Sequence, residues 1–352
     1  QDLNTRNLLE WDSFFGQFVS KVKFAALSEK YKYFGNINSN AYTFGQVRTY
    51  IGKYDLAFDA GNAIKLNAVV DFTQNKGEGS DIKNEQRNIG SASLLFKHKL
   101  TQKILYELSV RKEFTNNYKS PFLFSLGTKW AASDFYTLKL NGSKNFRVPT
   151  FNDLYWQPGG NENLKPESSY QAEIGNEFRF AGFQLTLTGY YIDIKDMLRW
   201  IPNGSVWSPQ NTDKVRTYGG EALLTWSKNF GNHHLLLNGT YAYTVSEDME
   251  KKKQLIYVPY HKATSSLSYS WKKLAVDYQC LYNGEVFTRS DNNSRYNIDA
   301  YFVSNASVSY DFGKKNSRIV GFQVLNLLNE NYASVESRFL PGRNFNMYLT
   351  LN

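Results

Sequence analysis

A chain of 352 residues with a formal net charge of +9, 16% aromatic residues and a single cysteine excludes two large classes at once. No apolar run approaches the roughly 18 residues of a spanning helix, and Cys280 alone cannot form a disulfide framework; it reads as a small apolar side chain on a strand. Twenty-five Tyr and 25 Phe against 8 Pro favour strands over helices or disorder, and the 41 Lys and Arg residues are spread along the chain rather than gathered into a nucleic-acid patch.

Taken in chain order, the dominant signal has period two. Ile64, Leu66, Ala68, Val70 and Phe72 alternate with Lys65, Asn67, Asp71 and Thr73. Farther on, Glu107, Arg111 and Glu113, then Lys139 and Arg147, fill the polar faces of further strands. Tyr170, Ala172, Ile174 and Phe178 alternate with Gln171, Glu173, Glu177 and Arg179. Leu267, Tyr269 and Trp271 stand against Ser266, Ser268 and Ser270; Val276, Tyr278 and Cys280 stand against Ala275, Asp277 and Gln279. The pattern closes with Ala306, Val308, Tyr310 and Phe312. Each strand is longer than the 5–6 residues usual in soluble sheets. An apolar face turned outward to lipid and a charged face turned to a wet lumen fit a closed transmembrane barrel, because lipid cannot satisfy a free strand edge.

Connections alternate short (Thr101-Gln102, Ala181 to Phe183, Lys272-Lys273) and long (Thr73 to Asn84, Pro149 to Glu167, Ile201 to Asp213, Ser246 to Lys253, Thr288 to Tyr296). Short periplasmic turns and long extracellular loops are expected of an outer-membrane barrel. Aromatics near strand ends, including Trp130, Tyr136, Trp226, Phe230, Trp271, Tyr310 and Phe312, fit interfacial girdles. The count is about seventeen strands. An odd count conflicts with the even number of bacterial barrels, so earlier strands are expected to lie outside this chain. His233 and His234 fall at a periplasmic turn, and the four His are too scattered for a metal site. No nucleophile motif or phosphate loop is present, and Ser290 and Asp291 share a loop without a His.

Two segments carry a family resemblance. One is Phe146-Arg147-Val148-Pro149 followed by Asn161-Glu162-Asn163-Leu164-Lys165-Pro166-Glu167. The other is Val324-Leu325-Asn326-Leu327-Leu328-Asn329, then Tyr332, then Pro341-Gly342-Arg343-Asn344-Phe345. In this order they resemble TonB-dependent outer-membrane transporters of the vitamin B12 and siderophore receptor type. The resemblance covers the whole chain. It implies an all-β, antiparallel up-and-down barrel of twenty-two strands, of which residues 1–352 are a barrel domain holding about strands six to twenty-two. The N-terminal plug, the TonB box and the first strands would lie outside it.

What the resemblance implies for function is import of a large, scarce nutrient across the bacterial outer membrane, without catalysis or a cofactor. A corrinoid such as vitamin B12 is placed ahead of a ferric siderophore. Haem is disfavoured because no His lies between Arg147 and Leu164. A general diffusion porin is the rival, and an outer-membrane enzyme the weakest option. Implied partners are the TonB system, reached through the N-terminal region, the corrinoid or siderophore, outer-membrane lipid and lipopolysaccharide, and a surface lipoprotein. Nucleic acid is not among them.

The expected ligand contacts are Tyr155, Trp156, Asn161 and Asn163 on one long loop and Trp200 and Trp207 flanking the next. Aromatic faces give apolar area at low entropic cost, and amides give polar anchors. The alternative for the aromatics is loop-on-loop packing. Pro149, Gly159 and Gly160 are read as shaping the loop. Inward charges at Lys139, Arg147, Glu173, Glu177 and Arg179 are expected to bond to the plug.

Overall fold

The computed structural model describes residues 1–36, 38–61, 63–313 and 317–351. Among the described residues there are twenty strands. Three have only two or three residues, and the other seventeen run from 8 to 25. The chain divides into two compact units.

The first unit comprises residues 1–130, 140–172 and 192–215. It opens with seven strands: β1 (Asp2–Phe15), β2 (Phe18–Tyr33), β3 (Thr43–Ala60), β4 (Ile64–Gly79), β5 (Ile82–Lys99), β6 (Ile104–Thr115) and β7 (Phe122–Ala131). Each pairs antiparallel with the next in chain order. Even-numbered positions of β2 to β6 form one face, where Phe24, Tyr50, Tyr54, Val70, Phe72, Leu94, Leu108 and Val110 are exposed. Odd positions carry polar ladders: Lys21 bonds Asp12 at 2.6 Å, Asn67 bonds Asp55 at 2.5 Å, and Arg111 bonds Asp71 at 3.2 Å and Glu113 at 3.0 Å. Apolar side chains left facing outward and ion pairs facing inward invert the soluble pattern, as a strand in lipid requires.

Four strands contribute residues to both units: β8 (Tyr136–Arg147), β9 (Glu167–Phe180), β10 (Phe183–Asn203) and β11 (Val206–Phe230). The five-residue helix α1 (Phe151–Tyr155) lies between β8 and β9.

The second unit comprises residues 131–139, 173–191 and 216–352. It adds β12 (His233–Asp248), β13 (Lys253–Gln254), β14 (His261–Trp271), β15 (Leu274–Asn283), β16 (Tyr301–Asp311), β17 (Arg318–Leu325), β18 (Ala333–Val335), β19 (Arg338–Phe339) and β20 (Asn344–Leu351). The ladder runs β12, β14, β15, β16, β17, β20, antiparallel throughout. Leu267 opposes Tyr278 and Tyr269 opposes Val276 on the apolar face, while Ser268 donates to Asp277 at 2.6 Å on the other. Near the short turns, His233 stacks with Phe230, Tyr269 and Trp271 in an aromatic band. Tyr278 lies four residues, about 13 Å of strand, from the turn end of β15. Tyr278→Arg is therefore expected to cost about 2–4 kcal/mol, the range for a cation near the bilayer midplane. Refolding equilibria into liposomes would measure it, and a loss below about 1 kcal/mol would contradict the outward facing.

Three expected loops are instead hairpins. Residues 73–84 hold the end of β4 and the start of β5 around Ser80-Asp81. Residues 201–213 hold the tip of the β10–β11 hairpin, where Gly204 takes φ +64°. In residues 246–253, β12 continues to Asp248 and pairs with β13. Beyond the bilayer both faces become polar, so the alternation fades while the ladder continues. Thr49 still donates to Asn75 at 2.9 Å, and Arg48 still pairs with Glu78 at 3.0 Å. Four of the five inward charges are ion-paired on the strands themselves. Glu177 receives Lys139 at 2.6 Å and Arg179 at 2.5 Å, and Arg147 pairs with Glu167 at 2.9 Å.

Candidate functional site

The loop after β8 folds onto the inward face of the first unit. Its turn into α1 is set by a capping box: Asp153 Nα donates to Thr150 Oγ1 at 3.1 Å while Thr150 Nα donates back to Asp153 Oδ2 at 2.8 Å. The buried Asp153 carboxylate also accepts from Thr150 Oγ1 at 2.8 Å and from the Trp200 indole Nε1 at 2.8 Å. Leu154, Leu164 and Leu198 form a small core beneath, with Tyr155 packed against it. Arg87 of β5 holds the loop from the other side. Its Nη1 donates to Pro149 O at 2.7 Å, and its guanidinium lies 5.2 Å from the Phe151 ring centre and 5.9 Å from that of Tyr118.

The six expected contact residues lie around this loop, but not all of them touch one another. Trp156 meets Trp200 edge-on, with centroids 5.6 Å apart. Asn161 Nδ2 donates to Pro209 O at 3.4 Å. Gly159 lies where any Cβ would strike the Trp207 carbonyl oxygen and, at 2.9 Å, the Trp156 ring. Trp207 itself is exposed, and so is Asn163, whose backbone N–H donates to Asn161 Oδ1 at 3.0 Å. Burial pushes the Tyr155 phenol up, and the Glu85 and Glu162 carboxylates add to it, so it stays a neutral donor through the physiological range. Loop-on-loop packing is thus a visible role of Trp156 and Trp200. Gly159→Ala is expected to destabilise the loop by about 1–3 kcal/mol through overpacking. Limited proteolysis of the loop would reveal it as faster cleavage, and wild-type resistance would count against the close approach.

Sequence reasoning missed the cavity beside this loop. A half-open recess of about 720 Å³ lies between the long-hairpin ends of β1 to β5 and the start of α1. Its wall includes Asn4, Glu29, Tyr31, Asn75, Arg87 and Phe151. Gly77 is required here, because a Cβ would lie 2.7 Å from the Phe151 ring. The signal that could have found part of this site is Thr150-x-x-Asp153, a cap spelled out in the chain. Asn75 and Glu29 carry no local signal, since only strand register brings them to one wall. Among the described residues no cluster of His, Cys, Asp and Glu is fit to hold a metal.

Residues 2–327 match the family described as "TonB dependent receptor-like, beta-barrel". The chain belongs to this family. It is therefore a protein of the bacterial outer membrane, and the TonB-dependent family consists of receptors and transporters rather than enzymes. No helix among the described residues is long and apolar enough to cross a membrane.

Curated relatives include the vitamin B12 transporter BtuB of Photobacterium profundum, 28% identical over 245 residues, covering 68% of this chain and 39% of that protein. BtuB of Vibrio vulnificus is 25% identical over 299 residues, covering 82% of this chain and 47% of that one. The chain thus spans less than half the length of these relatives. Two solved structures share the fold. The siderophore receptor PirA from Acinetobacter baumannii superposes with a TM-score of 0.77 at 17% identity, covering 99% of this chain and 62% of that chain. The copper transporter OprC gives 0.77 at 15% identity, covering 97% and 64%. The fold is the antiparallel up-and-down β-barrel of TonB-dependent receptors.

Proposed function

We propose that the chain forms the barrel wall of an active, TonB-dependent transporter that takes up a corrinoid, with Tyr155, Trp156, Asn161, Asn163, Trp200 and Trp207 shaping the mouth above the cavity. In this reading coupling to the TonB system runs through another part of the longer protein, and no reaction is catalysed. The observation that carries the choice of ligand is the lining of the cavity. From the inward side of the strands and the loop, Asn4, Asn75 and Asn152 present amides, and Asp2 and Glu29 stand with Arg87. A corrinoid carries many peripheral amides that such groups can bond. A ferric catecholate siderophore is strongly anionic and would meet the carboxylates of Asp2 and Glu29, which disfavours it electrostatically. The relatives named as vitamin B12 transporters point the same way.

Binding of cyanocobalamin and of a ferric catecholate to the full-length protein, followed by tryptophan fluorescence, tests the assignment. Cyanocobalamin is expected to bind tighter by about tenfold or more, a gap of roughly 1.4 kcal/mol. Tighter binding of the catecholate would reverse the choice of ligand.

A further inference from the structure

The inward wall of the second unit has a chemistry of its own. Leu267, Val276, Tyr278 and Val308 occupy the exposed, apolar face of β14, β15 and β16, so the alternate positions face inward. On β14 these are hydroxyls at every second residue, Ser266, Ser268 and Ser270. On β16 they are Ser307 and Ser309, following Asn305. Between the two strands β15 carries one carboxylate, Asp277, which accepts from Ser268 at 2.6 Å and from Ser307 at 3.4 Å. The inward wall of the first unit carries ion pairs instead, such as Lys21 with Asp12 at 2.6 Å and Arg111 with Asp71 at 3.2 Å.

Toward the long-loop end of this wall lies an open recess of about 560 Å³. Asn238, Thr240, Thr264, Gln279 and Asn305 give it polar groups, and Leu281, Val303 and Leu325 give it an apolar floor. Tyr332, from the loop after β17, borders it and is placed by its ring contact with Tyr301, 4.9 Å between centroids. Among the described residues no Lys, Arg, Asp, Glu or His lines the recess. Thr264 lies seven residues, about 23 Å of strand, from the turn end of β14.

Its polar groups are only partly committed. The Gln279 amide is exposed and makes no hydrogen bond among the described residues. Asn305 Oδ1 accepts from Asn326 Nα at 2.9 Å, which leaves its Nδ2 donors unused among the described residues. Thr240 and Thr264 share one hydrogen bond at 2.6 Å, so one of their two hydroxyl protons is uncommitted. An uncharged solute rich in amides exchanges water for such groups at little net cost. A charged solute would leave its hydration for a wall without a counter-charge. Several weak, exchangeable contacts suit a site that a solute must leave again. From the recess toward the short-turn end the serines repeat a hydroxyl every two residues, about 6.6 Å.

We infer that this recess is a second station for an uncharged, amide-rich solute of the corrinoid kind, which rests between Gln279, Asn305 and the Tyr332 ring and then passes along the serine ladder to the short-turn, periplasmic end. The station presupposes the corrinoid uptake proposed above and lies on residues that the mouth does not use. Passage along the inward wall of the first unit would instead break ion pairs such as Arg111 with Asp71.

The test uses the full-length protein in bacterial cells with no other route for cyanocobalamin, and pairs initial uptake rates with equilibrium binding to the same purified variants. Gln279→Lys and Gln279→Glu set either charge in the recess, and Thr264→Leu with Ser266→Leu fills it without charge. Each is expected to slow saturated uptake by about tenfold, the size of one unmet polar group, while Kd moves by less than about twofold. The Lys and Glu variants should act alike, because the solute has no charge for them to sort. Cells carrying any of the variants should stay as resistant as wild type to vancomycin, a large hydrophilic antibiotic. Wild-type uptake rates in all the variants would overturn the station and leave the mouth reading standing, whereas a wild-type protein that neither binds nor imports cyanocobalamin would overturn both. Opposite effects of Lys and Glu, or a loss of binding as large as the loss of uptake, would also overturn the station. So would vancomycin sensitivity, which would assign the recess to a segment of the protein itself.

Discussion

Asp153→Ala is expected to release the loop over the mouth of the first unit while leaving the strands intact. The carboxylate accepts three hydrogen bonds, from Thr150 Nα, Thr150 Oγ1 and Trp200 Nε1, and it is buried. Alanine removes that acceptor; the exposed Thr150 donors can turn to water, whereas the half-buried Trp200 indole loses its partner, and bonds to a charged acceptor are worth about 1.5–3 kcal/mol each. Since the three share one group and two of the donors reach water, the sum is discounted to about 2–4 kcal/mol of local stability. Amide hydrogen exchange across residues 150–165 reads this directly. Protection there should fall by about thirtyfold or more, with β3 and β4 unchanged. Asp153→Asn keeps one acceptor and should lose less. If exchange in the loop stays at the wild-type rate after Asp153→Ala, the capping box and the Trp200 bond do not hold the loop.

The barrel strands were legible because lipid and lumen impose opposite chemistry on successive side chains. Ile64 to Phe72 and Leu274 to Tyr282 announce themselves at every second residue. The hairpin turn at Gly204-Ser205 has glycine at its first central position, yet water on both faces hides the rest of its strands. Ion-pair partners were illegible for a different reason. Lys139 and Glu177 are 38 residues apart, and only strand pairing makes them neighbours at 2.6 Å. The aromatic cluster was half legible: Trp156 and Trp200 could be picked by type and loop, but not their contact or the Asp153 bond that fixes one of them.

The inward charges show what such pairing does to function. Glu177 is almost wholly buried between Lys139 and Arg179. Two cations about one carboxylate leave a net positive wall there, but each head group is already held. Conduction of a free ion past these side chains would require breaking pairs that are partly shielded from water. The cavity under α1 differs, because its amides are less committed and its size suits part of a large ligand.

Removing both central aromatics, Trp156→Ala with Trp200→Ala, should produce the largest loss of ligand affinity available in this chain. The two rings meet edge-on at 5.6 Å, one on the loop that closes the cavity and one near the tip of the β10–β11 hairpin. If they form the roof of a corrinoid vestibule, they lie where a bound ligand excludes most water, and a central aromatic there is worth about 2 kcal/mol or more, some thirtyfold in Kd. Trp207 is exposed at the rim, so Trp207→Ala should cost less than about 1 kcal/mol. The competing role, packing of loop on loop, is separable with Trp200→Phe. That change keeps a ring but removes the Nε1 donor to Asp153, so it should loosen the loop in hydrogen exchange while moving affinity by only about threefold. Cyanocobalamin titration of the full-length protein, with exchange measured on the same variants, gives both readouts. A double variant that binds whatever the parent binds with unchanged affinity, even with a loosened loop, would assign these side chains to packing alone and remove them from the ligand site.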